Sequence, residues 1–243
     1  MLHEINGKKI WVACISHARP QNVEKIHKHI ICTWYTKTKE TDAYVSFGAK
    51  SVREIDGNIV VARNAAILEA RNQGCDYCLQ LSDDVSRFYE FISDKKAISV
   101  DFQYVFEKMA SYLSPKCVLV GLSIQNNTRN YKKTFFTTNK LVVNDCVLIN
   151  TKFLYDENAN LKEDYDMFLT LVTKGHSVIR IDNLAGAFPH RENKGGANGY
   201  RNFFVEQKCN LYIFKKWKSL VRNHKTRVNQ IEIDYKKLAK LAA

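Results

Sequence analysis

The stretch Asp76-Tyr77-Cys78-Leu79-Gln80-Leu81-Ser82-Asp83-Asp84 joins an apolar strand pattern to two carboxylates. Its alternating apolar residues predict a β-strand that delivers Asp83 and Asp84 to the carboxyl edge of a sheet. Carboxylate oxygens at such an edge can hold a hard divalent cation. An Asp-Asp pair after a strand is often only a turn or a helix cap, so this pattern alone leaves both interpretations open.

A second acidic pair, Glu163-Asp164, opens a helical pattern over residues 165–171. Asp164 is therefore expected in a first helical turn, where the helix dipole favours negative charge. A fixed, ionised carboxylate near a metal site can act as a general base. The alternative is a helix N-terminal charge that takes no part in any reaction.

Strand and helix patterns alternate along the chain, which predicts an α/β sandwich with a largely parallel sheet. A long polar, basic loop is predicted over residues 125–140. The predicted strands cover residues 9–15, 76–82, 117–124, 141–149 and 177–181, and the predicted helices cover 22–31, 57–70, 101–113 and 163–174.

The 243 residues predict one domain spanning 1–243, with a basic C-terminal helical segment at about 203–243. Neither a signal peptide nor an apolar stretch of membrane-spanning length is visible, so a cytoplasmic location without membrane contact is expected. Seven cysteines lie mostly in apolar runs and predict reduced thiols. Cys75 and Cys78 have metal-type spacing without a second ligand pair, which favours packing over zinc.

Basic residues are concentrated in two runs without Asp or Glu, between Glu107 and Asp145 and from Gln207 to Ile231, in a chain of formal net charge +12. Such runs indicate a polyanionic partner, with nucleic acid foremost, and the alternative is a solvated basic face. The candidate DNA-binding residues are Arg129, Lys132, Lys133, Lys215, Lys216, Lys218 and Arg222.

The order of these motifs resembles that of nucleotide-sugar glycosyltransferases of the GT-A fold, from about Lys9 to about His190. The resemblance implies a GT-A (Rossmann-like) three-layer sandwich with a mainly parallel central sheet. Four pieces match in order: the polar turn Ser16-His17-Ala18-Arg19-Pro20, the helix motif Ala62-Arg63-Asn64, the acidic motif Ser82-Asp83-Asp84, and the pair Glu163-Asp164.

The resemblance also implies a role for each matching residue. Asp84, with His190, would bind Mn²⁺ or Mg²⁺ that bridges the two phosphates of a UDP-sugar. Asp164 would be the general base of an inverting transfer. The residues implied to contact the nucleotide sugar are Ser16, Arg19, Arg63, Asp83, Lys194, Gly195 and Gly196. A salt bridge for Arg63 and a plain turn for the glycines are the competing interpretations.

Within this fold, the basic segments make the chain similar to phage-encoded, TET-associated glycosyltransferases. This resemblance implies double-stranded DNA carrying 5-hydroxymethylcytosine as the acceptor, and the host cytoplasm as the location if the chain is phage-encoded. Whether the base is flipped out of the duplex stays open.

Three other interpretations compete with DNA glycosylation. The same fold could act on a saccharide or lipid-linked acceptor, with the basic segments against an anionic surface. A sugar nucleotidyltransferase is less favoured, because its first strand should be followed by a glycine-rich loop and residues 16–20 contain no glycine. A catalytically silent DNA-binding module is suggested by Ser82, which stands where the family has a carboxylate.

Overall fold

A mixed β-sheet organises the chain in the computed structural model, which describes residues 1–123, 134–188, 201–227 and 229–241. The strands are β1 Leu2–Ile5, β2 Lys8–Ile15, β3 Thr33–Lys37, β4 Val52–Ile55, β5 Tyr77–Ser82, β6 Arg87–Ser93, β7 Lys96–Val100, β8 Cys117–Ser123, β9 Phe136–Thr138, β10 Cys146–Asn150, β11 Ser177–Ala187, β12 Val221–Asn223 and β13 Ile231–Ile233. The helices are α1 Asn22–His27, α2 Thr41–Ser46, α3 Ile59–Asn72, α4 Phe102–Ser111, α5 Glu163–Thr173, α6 Phe203–Trp217 and α7 Tyr235–Leu241.

The main sheet has the strand order β4-β3-β2-β5-β10-β8-β11-β6-β7. Strands β4, β3, β2 and β5 are parallel, and β8 is parallel to β11. Strand β10 is antiparallel to both β5 and β8, so β8 and β11 point the same way as β5. The predicted α/β fold with a mainly parallel central sheet is therefore confirmed, with β10 as the reversed strand inside it.

Apolar side chains fill both faces of the sheet and produce three layers. One core includes Ile67 of α3 and Phe168 of α5, and the other includes Ile26 of α1 and Met109 of α4. All four side chains are almost completely buried, as expected for helices that cover a sheet with one apolar face. The C-terminal elements extend the first core, where Ile213 of α6 is fully buried.

Helix α3 begins where a side chain can cap it. Asn58 accepts hydrogen bonds from the backbone N–H groups of Val60 (2.9 Å) and Val61 (3.2 Å), which satisfies two donors of the first turn. The sequence predicted this helix from residue 57, close to its observed start at Ile59. The cap fixes the direction in which α3 leaves the sheet edge and so places Arg63 one turn further on.

Several elements differ from the sequence prediction. The strand predicted over residues 177–181 continues to Ala187, because its second half pairs with β6. The short strand β9 lies inside the stretch predicted as a loop over 125–140. The segment near 203–243 contains the hairpin β12–β13 as well as helices. No helix among the described residues is long and apolar enough to cross a membrane.

We expect Gly121→Ala to destabilise the fold. A Cβ at Gly121 of β8 would lie 2.0 Å from Cγ1 of Val142 and 3.3 Å from the carbonyl oxygen of Cys146, in a strand paired on both sides. Overpacking of this kind costs about 1–3 kcal/mol in the free energy of unfolding, which urea denaturation would measure. Ser123→Ala, at the end of the same strand, is the control. An unchanged unfolding midpoint in Gly121→Ala would contradict the packing argument.

Candidate functional site

A cavity of about 620 Å³ opens where β2, β3 and β5 end and where α3 and α5 begin. Carboxyl ends of parallel strands meet at one edge of a sheet, and ligand sites of α/β folds form there. Because β10 runs in the opposite direction, the residues just before it reach the same edge. The cavity brings together six residues singled out from the sequence: Ser16, Arg19, Arg63, Asp83, Asp84 and Asp164.

Asp83 is a buried anchor for the turn that follows β2. Its Oδ1 accepts a hydrogen bond from Nη1 of Arg19 at 2.8 Å, and its Oδ2 accepts one from the hydroxyl of Ser16. Burial raises the pKa of Asp83, although the Arg19 guanidinium and the Ser16 hydroxyl act in the opposite direction. With both oxygens engaged, Asp83 holds the turn at 16–20 rather than presenting a free oxygen to a ligand.

Asp84 lies beside this ion pair and is 2% exposed. The hydroxyl of Ser82 donates to its Oδ1 at 2.8 Å, and Nη1 of Arg19 lies 3.7 Å from its Oδ2. Ser82 therefore orients the following carboxylate, which gives a physical role to the residue that departs from the family motif. Lys25 donates to the backbone carbonyl of Asp84 at 3.3 Å and adds positive charge on the other side.

The metal ligands predicted from the sequence are Asp84 and His190. The described residues contain no group of three or more His, Cys, Asp or Glu side chains arranged to hold a metal ion. Asp84 still suits Mg²⁺ or Mn²⁺, because such ions commonly take one or two carboxylates and complete their shell with phosphate oxygens and water. His190, Lys194, Gly195 and Gly196 lie outside the described residues.

Arg63 joins three elements at the wall of the cavity and is 5% exposed. Its Nη1 donates to Oε1 of Gln80 on β5 at 3.1 Å, and Gln80 returns a hydrogen bond to the Arg63 carbonyl at 2.9 Å. Its Nε lies 3.4 Å from Oε1 of Glu163, the first residue of α5. The guanidinium thus positions the start of α5 relative to β5.

Asp164 is half-buried in the first turn of α5 and lines the cavity. Its Oδ1 accepts a hydrogen bond from the backbone N–H of Tyr165 at 2.9 Å. Burial and the adjacent Glu163 carboxylate raise the pKa of Asp164 to about 7. Near neutral pH this carboxyl group can therefore accept or release a proton, as a general base must.

An ionic network around the buried Asp166 fixes α5 from its other side. Asp166 is 2% exposed and accepts a hydrogen bond from Nε1 of Trp217 at 2.7 Å. Nζ of Lys216 lies 2.8 Å from Asp166 and 2.7 Å from Asp156, which also accepts a hydrogen bond from the Tyr212 hydroxyl at 2.5 Å. Helix α6 is thereby attached to α5 two residues beyond Asp164.

This network changes the account of the basic residues. The charge of Lys216 is balanced by two aspartates, and Arg222 forms an ion pair with Glu232 at 2.6 Å. Lys215 and Lys218 are exposed and have no ion pair within the described ranges. Arg129, Lys132 and Lys133 lie outside those ranges.

The sequence analysis did not identify one exposed face of α6. It is formed by Phe204, Lys208, Leu211 and Lys215, which recur every three or four residues on one side of the helix. Phe204 is 78% exposed and Leu211 66%, so large apolar groups alternate with free lysines there. The helical spacing of these residues could have indicated this surface.

The sequence analysis also missed several residues of the cavity wall, among them Thr36, Asn144, Asp145 and Arg201. Three buried side-chain atoms on the wall have no hydrogen-bond partner in the described part of the chain: Thr36 Oγ1, Arg63 Nε and Asn144 Nδ2. Unpaired buried polar atoms are costly, so their concentration here favours a polar ligand. Asn144 and Asp145 directly precede β10, and its reversed direction is what brings them to the site.

Residues 16–196 match the family model described as "TET-Associated Glycosyltransferase". Among solved structures, TarS residues 1–349 from S. aureus shares 9% identity at a TM-score of 0.47, over 96% of this chain and 69% of TarS. The same protein in complex with UDP gives 10% identity and a TM-score of 0.46, with the same coverage. A cytidylyltransferase from Leptospira borgpetersenii shares 8% identity at a TM-score of 0.37, over 60% of this chain and 61% of that chain. No curated protein sequence matches the chain significantly.

We expect Arg19→Leu to destabilise the protein in a pH-dependent manner. Removing the guanidinium leaves two buried carboxylates without their principal cation, and breaking such a pair costs about 3–5 kcal/mol. The pKa of Asp83 is already raised in the folded state and would rise further, so the penalty should be large above that pKa and shrink as the pH falls.

Urea unfolding at about pH 7.5 and about pH 5 would measure both effects. The control is Arg53→Leu, which removes an exposed pair with Glu69 and should cost under about 1 kcal/mol. Equal losses in the two variants, or a loss in Arg19→Leu that does not change with pH, would contradict this role.

Proposed function

Because the chain belongs to the TET-associated glycosyltransferase family, we propose that it transfers a sugar from a UDP-sugar to a hydroxymethylated pyrimidine in DNA, with 5-hydroxymethylcytosine as the acceptor. Family membership makes the chain a glycosyltransferase. The observation that carries the finer proposal is the single cavity in which Asp84, Arg63 and Asp164 converge. Transfer from a nucleotide sugar requires groups that hold the diphosphate, here proposed as Arg63 and a cation at Asp84, and a carboxylate that can take a proton, here proposed as Asp164.

The donor diphosphate would lie between Asp84 and Arg63. A guanidinium offers N–H donors to phosphate oxygens, and the Nε of Arg63, although 3.4 Å from Oε1 of Glu163, makes no hydrogen bond within the described part of the protein. Mn²⁺ or Mg²⁺ held at Asp84, with His190 as a further ligand, would supply neutralisation of the charge that develops on the departing diphosphate. The turn at Ser16 and Arg19, fixed by Asp83, would close the nucleotide end.

Asp164 would act on the acceptor. As the hydroxymethyl oxygen attacks the anomeric carbon, Asp164 would take its proton, and the bond from that carbon to the diphosphate oxygen would break. Attack opposite the leaving group inverts the anomeric configuration. The pKa of Asp164, about 7, is close to neutral pH, so the carboxylate is a strong enough base and is still available in its ionised form there.

The DNA backbone would be bound by the positive charge of the chain, which is +12 in total. Lys215 and Lys218 are exposed and available, and Lys208 lies on the same face of α6 as Lys215. Lys216 and Arg222 would contribute less, because carboxylates already bind them. Arg129, Lys132 and Lys133 would form a second contact region. Phosphate contacts of this kind position a duplex without reading its sequence.

A second candidate is transfer to a saccharide or lipid-linked acceptor by the same cavity. The observation that favours it is the exposure of Phe204 and Leu211 between lysines on α6, which would also suit an anionic membrane interface. Binding to vesicles containing phosphatidylserine, without binding to duplex DNA, would support this candidate.

Mass spectrometry of modified DNA tests the proposal directly. Duplexes containing 5-hydroxymethylcytosine or cytosine would be incubated with the protein, Mn²⁺ and a panel of UDP-sugars. A mass gain of one sugar residue on the hydroxymethylated duplex alone is the expected result. Hydrolysis of every donor without a modified base would argue against DNA as the acceptor.

We expect Asp164→Asn to bind UDP-sugar with unchanged affinity and to lose about 10²- to 10⁴-fold in kcat, because an amide cannot accept the proton. In the wild type, kcat should rise with pH through an apparent pKa near 7 and then level, since the base must be deprotonated. Glu163→Gln should shift this rise in kcat to lower pH, because removing the neighbouring negative charge lowers the pKa of Asp164. Reactions would be quenched at successive times, and the product would be quantified by mass spectrometry. A flat pH profile in the wild type would assign the base to another residue.

We expect the triple variant Lys208→Ala, Lys215→Ala, Lys218→Ala to bind duplex DNA more weakly and with a flatter salt dependence. Each lost phosphate contact should reduce the slope of log affinity against log salt by about one unit. A matched variant removes Lys50, Lys95 and Lys96, which are exposed elsewhere on the molecule. Fluorescence anisotropy with labelled duplex would compare the two. Equal effects in both variants would indicate a general charge effect rather than binding at α6.

A further inference from the structure

Asn144 occupies a position on the cavity wall that none of the assigned roles uses. It lies two residues before β10, whose reversed direction brings it to the sheet edge beside the acidic motif. The backbone N–H of Ser82, the last residue of β5, donates to the carbonyl of Asp145 at 2.7 Å. Asn144 precedes Asp145 in the chain and therefore lies just beyond the end of β5. Asn144 lines the cavity and is 3% exposed.

A hydrogen bond from Tyr155 holds the Asn144 side chain. Its Oδ1 accepts a hydrogen bond from the Tyr155 hydroxyl at 3.2 Å. Tyr155 is itself fixed by Asn64 of α3, which accepts from the Tyr155 N–H at 2.8 Å and donates to its carbonyl at 2.9 Å. Burial raises the pKa of Tyr155, so its hydroxyl stays protonated and remains a donor to the amide oxygen.

This arrangement leaves the amide nitrogen of Asn144 as a committed donor. Nδ2 is buried and has no hydrogen-bond partner in the described part of the chain. Leaving such a group unpaired is unfavourable, and an apolar side chain of similar size would avoid the cost. A buried amide whose oxygen is held in place and whose nitrogen is unpaired on a cavity wall is suited to recognise a ligand oxygen.

The neighbours of Asn144 indicate which part of the ligand it would meet. Beside it lies the acidic motif, where the proposed function places the diphosphate. Arg63, Glu163 and Asp164, the proposed base, line the same cavity as Asn144. The transferred sugar must lie between the diphosphate and the base. A neutral amide suits a neutral hydroxyl, whereas phosphate oxygens favour a guanidinium.

We infer that Asn144 determines donor specificity, with Nδ2 donating a hydrogen bond to a hydroxyl oxygen of the transferred sugar and Tyr155 acting as its positioning residue. The inference rests on the proposed UDP-sugar donor. It adds a contact to the sugar itself, as distinct from the nucleotide, the diphosphate or the acceptor.

Calorimetry with two probes separates these contacts. Binding of UDP, and of whichever of UDP-glucose, UDP-galactose, UDP-N-acetylglucosamine or UDP-xylose the wild type binds, would be measured with Mn²⁺. Asn144→Ala should bind UDP as the wild type does and bind the UDP-sugar about 10- to 100-fold more weakly, the range expected for one well-placed hydrogen bond. Tyr155→Phe, which keeps the ring and the amide, should show a smaller loss of the same kind. Asn72→Ala, at an exposed position, is the matched control.

Deoxy analogues of the bound donor identify the hydroxyl. The analogue that lacks the contacted group should bind the wild type as weakly as the intact donor binds Asn144→Ala, and should lose nothing further in that variant. Equal losses for UDP and UDP-sugar, or no loss for either, would overturn the inference while leaving the proposed donor intact. If the wild type binds UDP but none of the UDP-sugars, the proposed donor itself fails, which is distinct from a failure of the Asn144 contact.

Discussion

The site depends on a charge imbalance at the end of β5, where two buried carboxylates face one guanidinium. Arg19 pairs closely with Asp83 and only distantly with Asp84, at 2.8 Å and 3.7 Å. Burying two negative charges against one positive charge is unfavourable unless more positive charge or hydrogen bonding is supplied. Ser16 and Ser82 supply hydrogen bonds to one carboxylate each. The arrangement fixes the turn after β2 relative to the end of β5.

The position of Asp164 follows from the contacts that α5 makes with its neighbours. Its first residue, Glu163, lies beside Arg63, and its fourth, Asp166, is bound by Trp217 and Lys216. Asp164 lies between these attachments, so its place relative to β5 is set on both sides. Burial and the adjacent Glu163 carboxylate raise the pKa of Asp164 to about 7.

The sequence predicted what depends on local pattern. The alternation of apolar residues predicted β5 and therefore placed Asp83 and Asp84 at a sheet edge. The helical pattern after Glu163 predicted the first turn of α5. The sequence did not predict that β10 is reversed, because strand direction is decided by partners far away in the chain. Asn144 and Asp145 were missed for that reason. Lys216 was grouped with other lysines because its pairing with Asp166 joins residues fifty positions apart.

The division of charge on α6 connects the exposed face of this helix with the position of α5. Lys216 and Trp217 face inward and hold Asp166, whereas Lys208 and Lys215 share an outer face with Phe204. A partner that binds the outer face therefore contacts the helix whose inner face positions α5. Since α5 carries Asp164, the outer face of α6 and the proposed base are parts of one packed unit. A partner bound at the outer face would therefore have a defined position relative to Asp164.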